Sequence, residues 1–234
     1  MHSKLEAPAF RVTLASQFKD LILGGQDGVV NVLGVVLGVA AGTGSIKAIL
    51  VAGAAATFAE SISMAAVAYT STKAESSYHE SMKQKEIREI KTCPSCEAEE
   101  IRDIYKAKGF RGRLLEQVVR HITRNKRLWT ETMMTDELGM SKESHAHPVR
   151  AAVVVGAAAI IGSLIPILPF VFMPIRAAVI SSLVLCSLTL FTTGSIEAKI
   201  TVGKWYLRGL EMMIIGMLAA IVGYAVGAAV GAVV

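Results

Sequence analysis

Glutamates spaced three residues apart occur twice in the middle of this 234-residue chain. Glu86 and Glu89 form the first pair, and Glu97 and Glu100 form the second. Residues i and i+3 share a helix face, so two such helices packed antiparallel could present four carboxylates to one space. Like charges placed there repel unless protons or cations neutralise them. One pair alone is more typical of a solvated helix face, but two pairs at this spacing favour a cation site.

Two methionines and a further glutamate follow in the segment Met133-Met134-Thr-Asp-Glu137. This segment again places thioether sulfurs near a carboxylate. Its occurrence in the same charged region as the two glutamate pairs is hard to explain by chance. We therefore treat the whole region as a candidate metal-binding element.

Carboxyl groups also occur inside apolar stretches, where a charge is costly and often marks an ion path. Glu60 is the most telling, because Met64 lies four residues later on the same helix face. An oxygen and a thioether together suit a borderline transition metal better than Mg²⁺ or Ca²⁺. Asp27 is a second candidate with Asn31 one turn on, although capping at the membrane boundary would also explain Asp27. Met64 alone could equally be core or lipid-facing filler.

The elements that hold these residues are membrane helices. Hydrophobic residues make up 53% of the chain and charged residues only 18%, which is too apolar for a typical soluble domain. A span needs about 20 apolar residues. The apolar stretches predict five spans, at roughly Leu21–Ala41, Ile46–Ser71, Val149–Phe170, Ala177–Thr193 and Leu207–Val234.

We expect an all-α membrane protein with five transmembrane helices and a cytosolic three-helix insertion between the second and third. Its predicted parts are 1–71, a surface-lying amphipathic helix over Phe10–Leu23 with the first two spans; 72–148, the metal-binding insertion; and 149–234, the last three spans. The insertion helices are predicted over Lys73–Ile90, Glu97–Ala107 and Gly112–Glu137. Turn signals separate the later spans, namely Pro166, Pro169 and Pro174, then Thr193-Gly194-Ser195.

The basic residues predict the orientation. With a cytosolic N-terminus, only Lys47 and Arg176 face away from the cytosol, leaving 22 of the 24 Lys and Arg on the cytosolic side. The net charge of +5 then indicates contact with membrane lipid. We expect no nucleic-acid partner, because no basic stripe is interleaved with aromatic residues.

Cys93 and Cys96 flank a Pro-Ser turn between the first two insertion helices. In a reducing cytosol a structural disulfide is not expected. A turn, an auxiliary metal-capture pair or a redox pair all fit, and one CxxC supplies only two of the four ligands of a structural zinc site. His145 and His147 could be ligands, but a polar linker explains them equally.

Small residues line two spans at intervals of about four. Gly34, Gly38 and Gly42 line the first span, and a similar stripe of glycines lines the fifth. Such stripes let helix backbones approach closely. Internal packing or a subunit interface would explain the first stripe, and internal packing is favoured for the fifth. At the start of the fifth span, we expect Glu211 to pair with Arg208 or Lys204.

These motifs resemble those of the vacuolar iron transporter family over essentially the whole chain. The matching segments are Asp27-Gly-Val-Val-Asn31-Val-Leu-Gly34, Ser61-Ile-Ser-Met64, the paired glutamates, Lys106-Ala-Lys-Gly109-Phe110 and Met133-Met134-Thr-Asp-Glu137-Leu-Gly139. The resemblance implies a homodimer that exports Fe²⁺, and also Mn²⁺ or similar ions, from the cytosol in exchange for protons. Iron is then a substrate, and no prosthetic group is expected.

The resemblance also implies residue roles. It places Asp27 and Met64 on the translocation path. We add Asn31 and Glu60 to this path because they are polar residues within the predicted spans. The resemblance places seven residues at a cytosolic metal-binding site: Glu86, Glu89, Glu97, Glu100, Met133, Met134 and Glu137. One position departs from plant members, which carry a path glutamate where this chain has Ala56. Glu60, one turn deeper, is the candidate substitute.

Other classes predict different features. A membrane-anchored metal buffer or sensor would need no acid inside its spans, so Asp27 and Glu60 argue against it. A di-iron oxidase would need Glu-x-x-His motifs, which the glutamate pairs lack. We therefore expect a transporter, not an enzyme, in a vacuolar-type or plasma membrane.

Overall fold

A computed structural model describes residues 8–140, 147–200 and 203–232 of the chain, giving the backbone alone at 8–17 and 200. All the regular elements it describes are helical. They are α1 (Pro8–Thr43), α2 (Ile46–Thr92), α3 (Pro94–Ala107), α4 (Gly112–Thr123), α5 (Lys126–Thr132), a π-helix (Met133–Glu137), α6 (Pro148–Phe172), α7 (Ile175–Ile200) and α8 (Trp205–Gly231).

Five of these helices are long and apolar enough to cross a membrane, as predicted: α1, α2, α6, α7 and α8. The residues predicted as a surface helix and a first span form one helix, α1. Likewise α2 runs through the predicted second span into the first insertion helix without a break. Cys93 alone separates α2 from α3, so the predicted turn is confirmed.

The chain divides into two compact units, residues 1–70 with 148–234, which we call the membrane unit, and residues 71–147, the insertion unit. In the membrane unit, α1 contacts α6, α7 and α8. Buried Leu33 and Leu37 of α1 pack with Leu190 of α7, forming one core cluster. A second cluster joins Val36 of α1 to Phe170 of α6.

The two glycine stripes pack against each other within one subunit. A Cβ added at Gly38 would lie 2.9 Å from the Gly223 carbonyl oxygen, and one at Gly42 would lie 2.9 Å from that of Gly227. Larger side chains at these positions would force α1 and α8 apart. The structure therefore assigns the first-span stripe to internal packing.

The predicted turn at Thr193-Gly194-Ser195 is wrong, because these residues lie within α7, and the turn predicted from the three prolines is confirmed only at Pro174. Pro166 and Pro169 lie inside α6, and only Pro174 separates α6 from α7. The Ser182 hydroxyl of α7 donates to the Pro166 carbonyl at 2.9 Å, which links α7 to α6 at this proline. Gly194 lies within α7, where a Cβ would be 2.6 Å from the Arg208 carbonyl oxygen, so this glycine serves close packing.

The start of α8 bears out one predicted pairing. Arg208 Nη1 lies 3.0 Å from Glu211 Oε2, one turn along the helix. Both side chains are about half exposed, so the pair adds little to stability.

The insertion unit has its own apolar core, formed by Ile90, Ile101, Val119, Trp129 and Met133 with their neighbours. The predicted helix Gly112–Glu137 is wrong in its continuity. It breaks before α5, where the Asn125 side chain accepts hydrogen bonds from the amides of Arg127 and Leu128 at 3.0 and 3.3 Å. Asparagine favours such capping positions over helix interiors, because its side chain competes for backbone groups.

Candidate metal path and acidic cluster

Three of the predicted path residues come together in the membrane unit. The Glu60 carboxyl of α2 lies within hydrogen-bonding reach of the Asp27 and Asn31 side chains of α1. Asp27 and Asn31 are one turn apart on α1, so a single residue of α2 spans both. The two carboxyl groups supply oxygen ligands that suit a divalent cation or a shared proton, and the Asn31 amide donates a hydrogen bond to Glu60.

Close packing of α1 against α6 fixes the position of Asp27. A Cβ at Gly28 would lie 2.8 Å from Ser163 Oγ and still closer to the Ala159 carbonyl oxygen. Only glycine permits this approach, because the nearest backbone atoms cannot move like a flexible side chain. Gly28 therefore sets the distance between the two helices beside the path carboxyl.

The hydroxyl groups near Glu60 are already bonded to their own helix. Thr57 Oγ1 donates to the Gly53 carbonyl at 2.9 Å, and Ser61 Oγ donates to that of Thr57 at 2.6 Å. Both side chains are buried, whereas Glu60 is only half-buried. Met64, one turn after Glu60, is also half-buried. The hydroxyl hydrogens of Thr57 and Ser61 are thus used within α2.

Position 56, where the family resemblance implies a glutamate, packs against the apolar core in this chain. Ala56 is half-buried and packs against the cluster that contains Ile49 and Ile167. The carboxyl group that reaches Asp27 comes from Glu60 instead.

The insertion unit contains the second set of predicted residues. Glu86 and Glu97 are among the most buried polar residues, at 1% and 6% exposure. In the described part of the chain, Glu97 Oε2 has no hydrogen-bond partner. A buried carboxyl oxygen without a partner costs free energy, and a bound cation would remove that cost.

Five glutamates of this unit affect one another electrostatically; they are Glu86, Glu89, Glu97, Glu100 and Glu137. Burial raises the pKa of Glu97 to about 7, and the negative charge of Glu100 and its neighbours adds to this effect. Burial also raises the pKa of Glu137, as does the charge of Glu100. Glu97, with a pKa of about 7, is partly protonated at neutral pH, and a bound cation would displace that proton.

The two insertion methionines lie on the π-helix and are both buried. Met133 is fully buried within the apolar core of the unit, and Met134 is 5% exposed. The π-helical turn is closed by a hydrogen bond from the Leu138 amide to the Met133 carbonyl at 3.2 Å. Such turns are rare in proteins, and those that occur often lie at functional sites.

Among the described residues, no three His, Cys, Asp or Glu side chains are placed closely enough to hold one metal ion. His147 is exposed just before α6, and His145 lies outside the described residues. The glutamates of the acidic cluster are thus close enough to affect one another's charge, but no three of them are close enough to bind one metal ion together.

Cys93 and Cys96 form a disulfide, contrary to the expectation from their compartment. The two Cα atoms are 5.3 Å apart, within the range for a disulfide. The expectation of free thiols came from the reducing cytosol alone, whereas the three-residue spacing brings the two Cα atoms close enough to form a disulfide. Cys186 is free and buried within α7.

Sequence reasoning missed two residues that support the cluster. Asp136 accepts a hydrogen bond from the Tyr105 hydroxyl at 3.1 Å and lies 2.6 Å from Lys108 Nζ, which ties the π-helix to the end of α3. Lys85 Nζ lies 3.3 Å from Glu89 Oε2 and partly offsets the negative charge. The i,i+4 spacing of Lys85 and Glu89 could have predicted their ion pair from the sequence. The contacts of Asp136 could not be predicted in this way, because Lys108 and Tyr105 lie 28 and 31 positions before it in the chain.

Comparisons with known proteins show which family the sequence resembles. A family model described as "VIT family" matches residues 18–228. The vacuolar iron transporter 1 of Tulipa gesneriana is 30% identical over 222 residues, covering 94% of this chain and 90% of that protein. The vacuolar iron transporter 1 of Oryza sativa subsp. japonica is 28% identical, with 98% and 91% covered, and the vacuolar iron transporter of Centaurea cyanus is 30% identical, with 88% and 85% covered.

Proposed function

Because this chain belongs to the VIT family, the vacuolar iron transporters, we propose that it carries iron across a membrane as a multi-pass transporter. The family is one of transporters, not of enzymes. The ion is a substrate that enters and leaves, so its ligands should bind it reversibly.

The observation that carries the proposal is the approach of Glu60 to Asp27 and Asn31 between two spans. A structural anchor has no need for two carboxyl groups brought together within a membrane, where each is costly. A pathway for a divalent cation does need them, because the cation exchanges its water for protein oxygens. Glu60 takes the role of the glutamate that Ala56 replaces.

The transported ion is Fe²⁺, with Mn²⁺ or similar divalent transition metals as further substrates. Oxygen donors from Asp27 and Glu60 would accept many divalent ions, including Mg²⁺. The Met64 thioether, one turn from Glu60, favours softer ions. This combination suits Fe²⁺ better than Mg²⁺ or Ca²⁺.

Transport runs out of the cytosol in exchange for protons. The distribution of Lys and Arg favours a cytosolic N-terminus and a cytosolic insertion. Protons compete with the metal for the carboxyl groups of Asp27 and Glu60, which provides the coupling. The names of the relatives favour a vacuolar-type membrane, and a plasma membrane is the alternative location.

The transporter works as a homodimer. In a single chain, Asn31 is exposed and both Asp27 and Glu60 are only half-buried. Lipid would be a poor neighbour for these groups. A second subunit over this face would shield the path, and exposed Phe58 and Ile62 of α2 supply an apolar surface for it.

The insertion captures metal for the path. Buried Glu97 carries an oxygen without a partner, and its raised pKa of about 7 lets it exchange a proton for a cation. Glu86, Glu89, Glu100, Met133, Met134 and Glu137 complete the proposed site. Its open arrangement suits temporary binding of an ion that must be released again.

Iron uptake into proteoliposomes with an imposed pH gradient tests the function. Glu60→Gln keeps the shape of the side chain and removes its charge, and we expect a loss of about tenfold or more in the initial rate. Glu211→Gln is the matched control, because Glu211 also lies on a spanning helix but pairs with Arg208. Its rate should equal that of the wild type.

Two results would contradict the proposal. Wild-type flux in Glu60→Gln would remove the path role of Glu60. Tight metal binding by the wild type with no flux would favour a membrane-anchored buffer instead.

A further inference from the structure

The corner between α2 and α3 joins the two glutamate pairs, and the Cys93–Cys96 disulfide lies within it. The Cys93 amide donates to the Glu89 carbonyl at 2.9 Å, continuing α2. The Cys93 carbonyl accepts from the amides of Cys96 and Glu97 at 3.1 and 3.2 Å, beginning α3. Cys93 and Cys96 therefore lie within one helical turn of Glu97, whose Oε2 has no hydrogen-bond partner among the described residues.

Solvent reaches this corner. Pro94, Ser95 and Cys96 are exposed and Cys93 is half-buried. Small thiols and metal ions can therefore approach the sulfurs. Cys186, in contrast, has no exposed surface, so neither small thiols nor metal ions can reach its sulfur.

Two sulfurs that can bond to each other can also bind one metal ion when the bond is broken. Reduction by two molecules of a low-molecular-weight thiol supplies two electrons and two protons, yields the Cys93 and Cys96 thiols, and leaves the reductant as its own disulfide. A divalent ion then displaces the two thiol protons and binds both sulfurs. A tetrahedral ion would retain two positions for water or a carboxylate, which leaves the site open to exchange.

We propose that reduced Cys93 and Cys96 form a second metal-binding site, selective for thiophilic divalent ions such as Fe²⁺, Co²⁺ and Zn²⁺, and that the disulfide closes it. The site receives an ion at the surface of the insertion unit, next to the buried carboxyl of Glu97. Oxidation removes the sulfur ligands and leaves the glutamates in place. The identity of the natural ion rests on the proposed function, but sulfur binding can be measured without transport.

The test is a Co²⁺ titration of the full-length protein in detergent, monitored by the sulfur-to-cobalt charge-transfer absorption. We expect this band in protein reduced with a phosphine and its loss after oxidation to the disulfide. Cys93→Ser/Cys96→Ser should lack the band under both conditions. Ser95→Ala is the matched control within the same turn and should keep it.

Alkylation provides a second measurement that needs no substitution. Iodoacetamide should alkylate the accessible Cys93 and Cys96 of the reduced wild-type protein but not buried Cys186. The treated protein should therefore lose the band. Absence of the band in reduced wild-type protein would overturn the proposal, as would its persistence in the double serine variant or after alkylation. Iron flux without a cobalt–sulfur band would refute this site alone, and a band without flux would refute only the transport function.

Discussion

The Glu60 carboxyl lies within hydrogen-bonding reach of the Asp27 carboxyl, although the two residues belong to different membrane-spanning helices. Two negative charges would repel at this separation, so the pair needs a proton or a cation. This requirement is the physical basis of the exchange that we propose, because a bound metal ion would exclude the proton and a bound proton would exclude the metal ion. Asn31, one turn from Asp27, adds a neutral amide group that can form a hydrogen bond without gaining or losing a proton.

The pair should behave as one unit in mutagenesis. We expect Asp27→Asn and Glu60→Gln each to lower the initial rate of Fe²⁺ uptake by about tenfold or more. The double variant should be hardly slower than either single variant, because residues that share one bound ion are not additive. Multiplied losses would show that the two carboxyl groups act independently.

Packing at Gly28 should matter more than packing at Gly25, one turn earlier on α1. A Cβ at Gly28 would meet Ser163 Oγ at 2.8 Å, whereas one at Gly25 would meet only the Ala158 carbonyl oxygen at 3.8 Å. We expect Gly28→Ala to destabilise the detergent-solubilised protein by about 1–3 kcal/mol, the usual cost of overpacking. Gly25→Ala should unfold thermally like the wild type. Equal unfolding temperatures for both variants would mean that α1 and α6 are less tightly packed than described.

Metal binding by the insertion should weaken as pH falls through 7. Protons occupy Glu97 below its raised pKa of about 7, and a metal ion must displace them. Calorimetry with Co²⁺ on the full chain should show about a tenfold loss of affinity from pH 8 to pH 6, as expected for one competing proton. Glu97→Gln should bind more weakly and with a flatter pH profile. Glu99→Gln, at an exposed glutamate paired with Arg102, should retain the wild-type profile.

The two insertion methionines should affect selectivity more than stability. Replacing Met133 and Met134 by leucine nearly conserves volume but removes both sulfurs. We expect the affinity for Fe²⁺ to fall more than that for Mn²⁺, because a thioether favours the softer ion. Met212→Leu, at a buried methionine of the membrane unit, should change neither affinity. Equal losses for the two ions would indicate that Met133 and Met134 serve only packing.

The long apolar stretches were enough to predict the five spanning helices, since length and hydropathy are local properties. Breaks within helices were harder to predict. Pro166 and Gly194 resemble turn signals, yet both lie within helices that pack closely against neighbours, Pro166 beside Ser182 and Gly194 beside Arg208. The break at Asn125 was missed for a related reason, since nothing in the surrounding polar sequence shows that its side chain caps α5.

The candidate residues were predictable by type, but their partners were not. Burial cost alone pointed to Glu60, whereas its proximity to Asp27 depends on how α1 and α2 pack. The pairing of the Gly38 and Gly42 stripe with α8 likewise required the fold, because either stripe could have faced another subunit. The roles of the site residues in transport are still predictions.

Fe²⁺-driven proton movement in proteoliposomes tests the central claim most directly. With a pH-sensitive dye inside the vesicles, Fe²⁺ added to the side carrying the insertion should drive protons out of vesicles that contain the wild type. Asp27→Asn and Glu60→Gln should abolish this signal, and Glu211→Gln should preserve it. Fe²⁺ entry with no accompanying proton movement, or a full proton signal in Glu60→Gln, would contradict exchange at the Asp27–Glu60 pair.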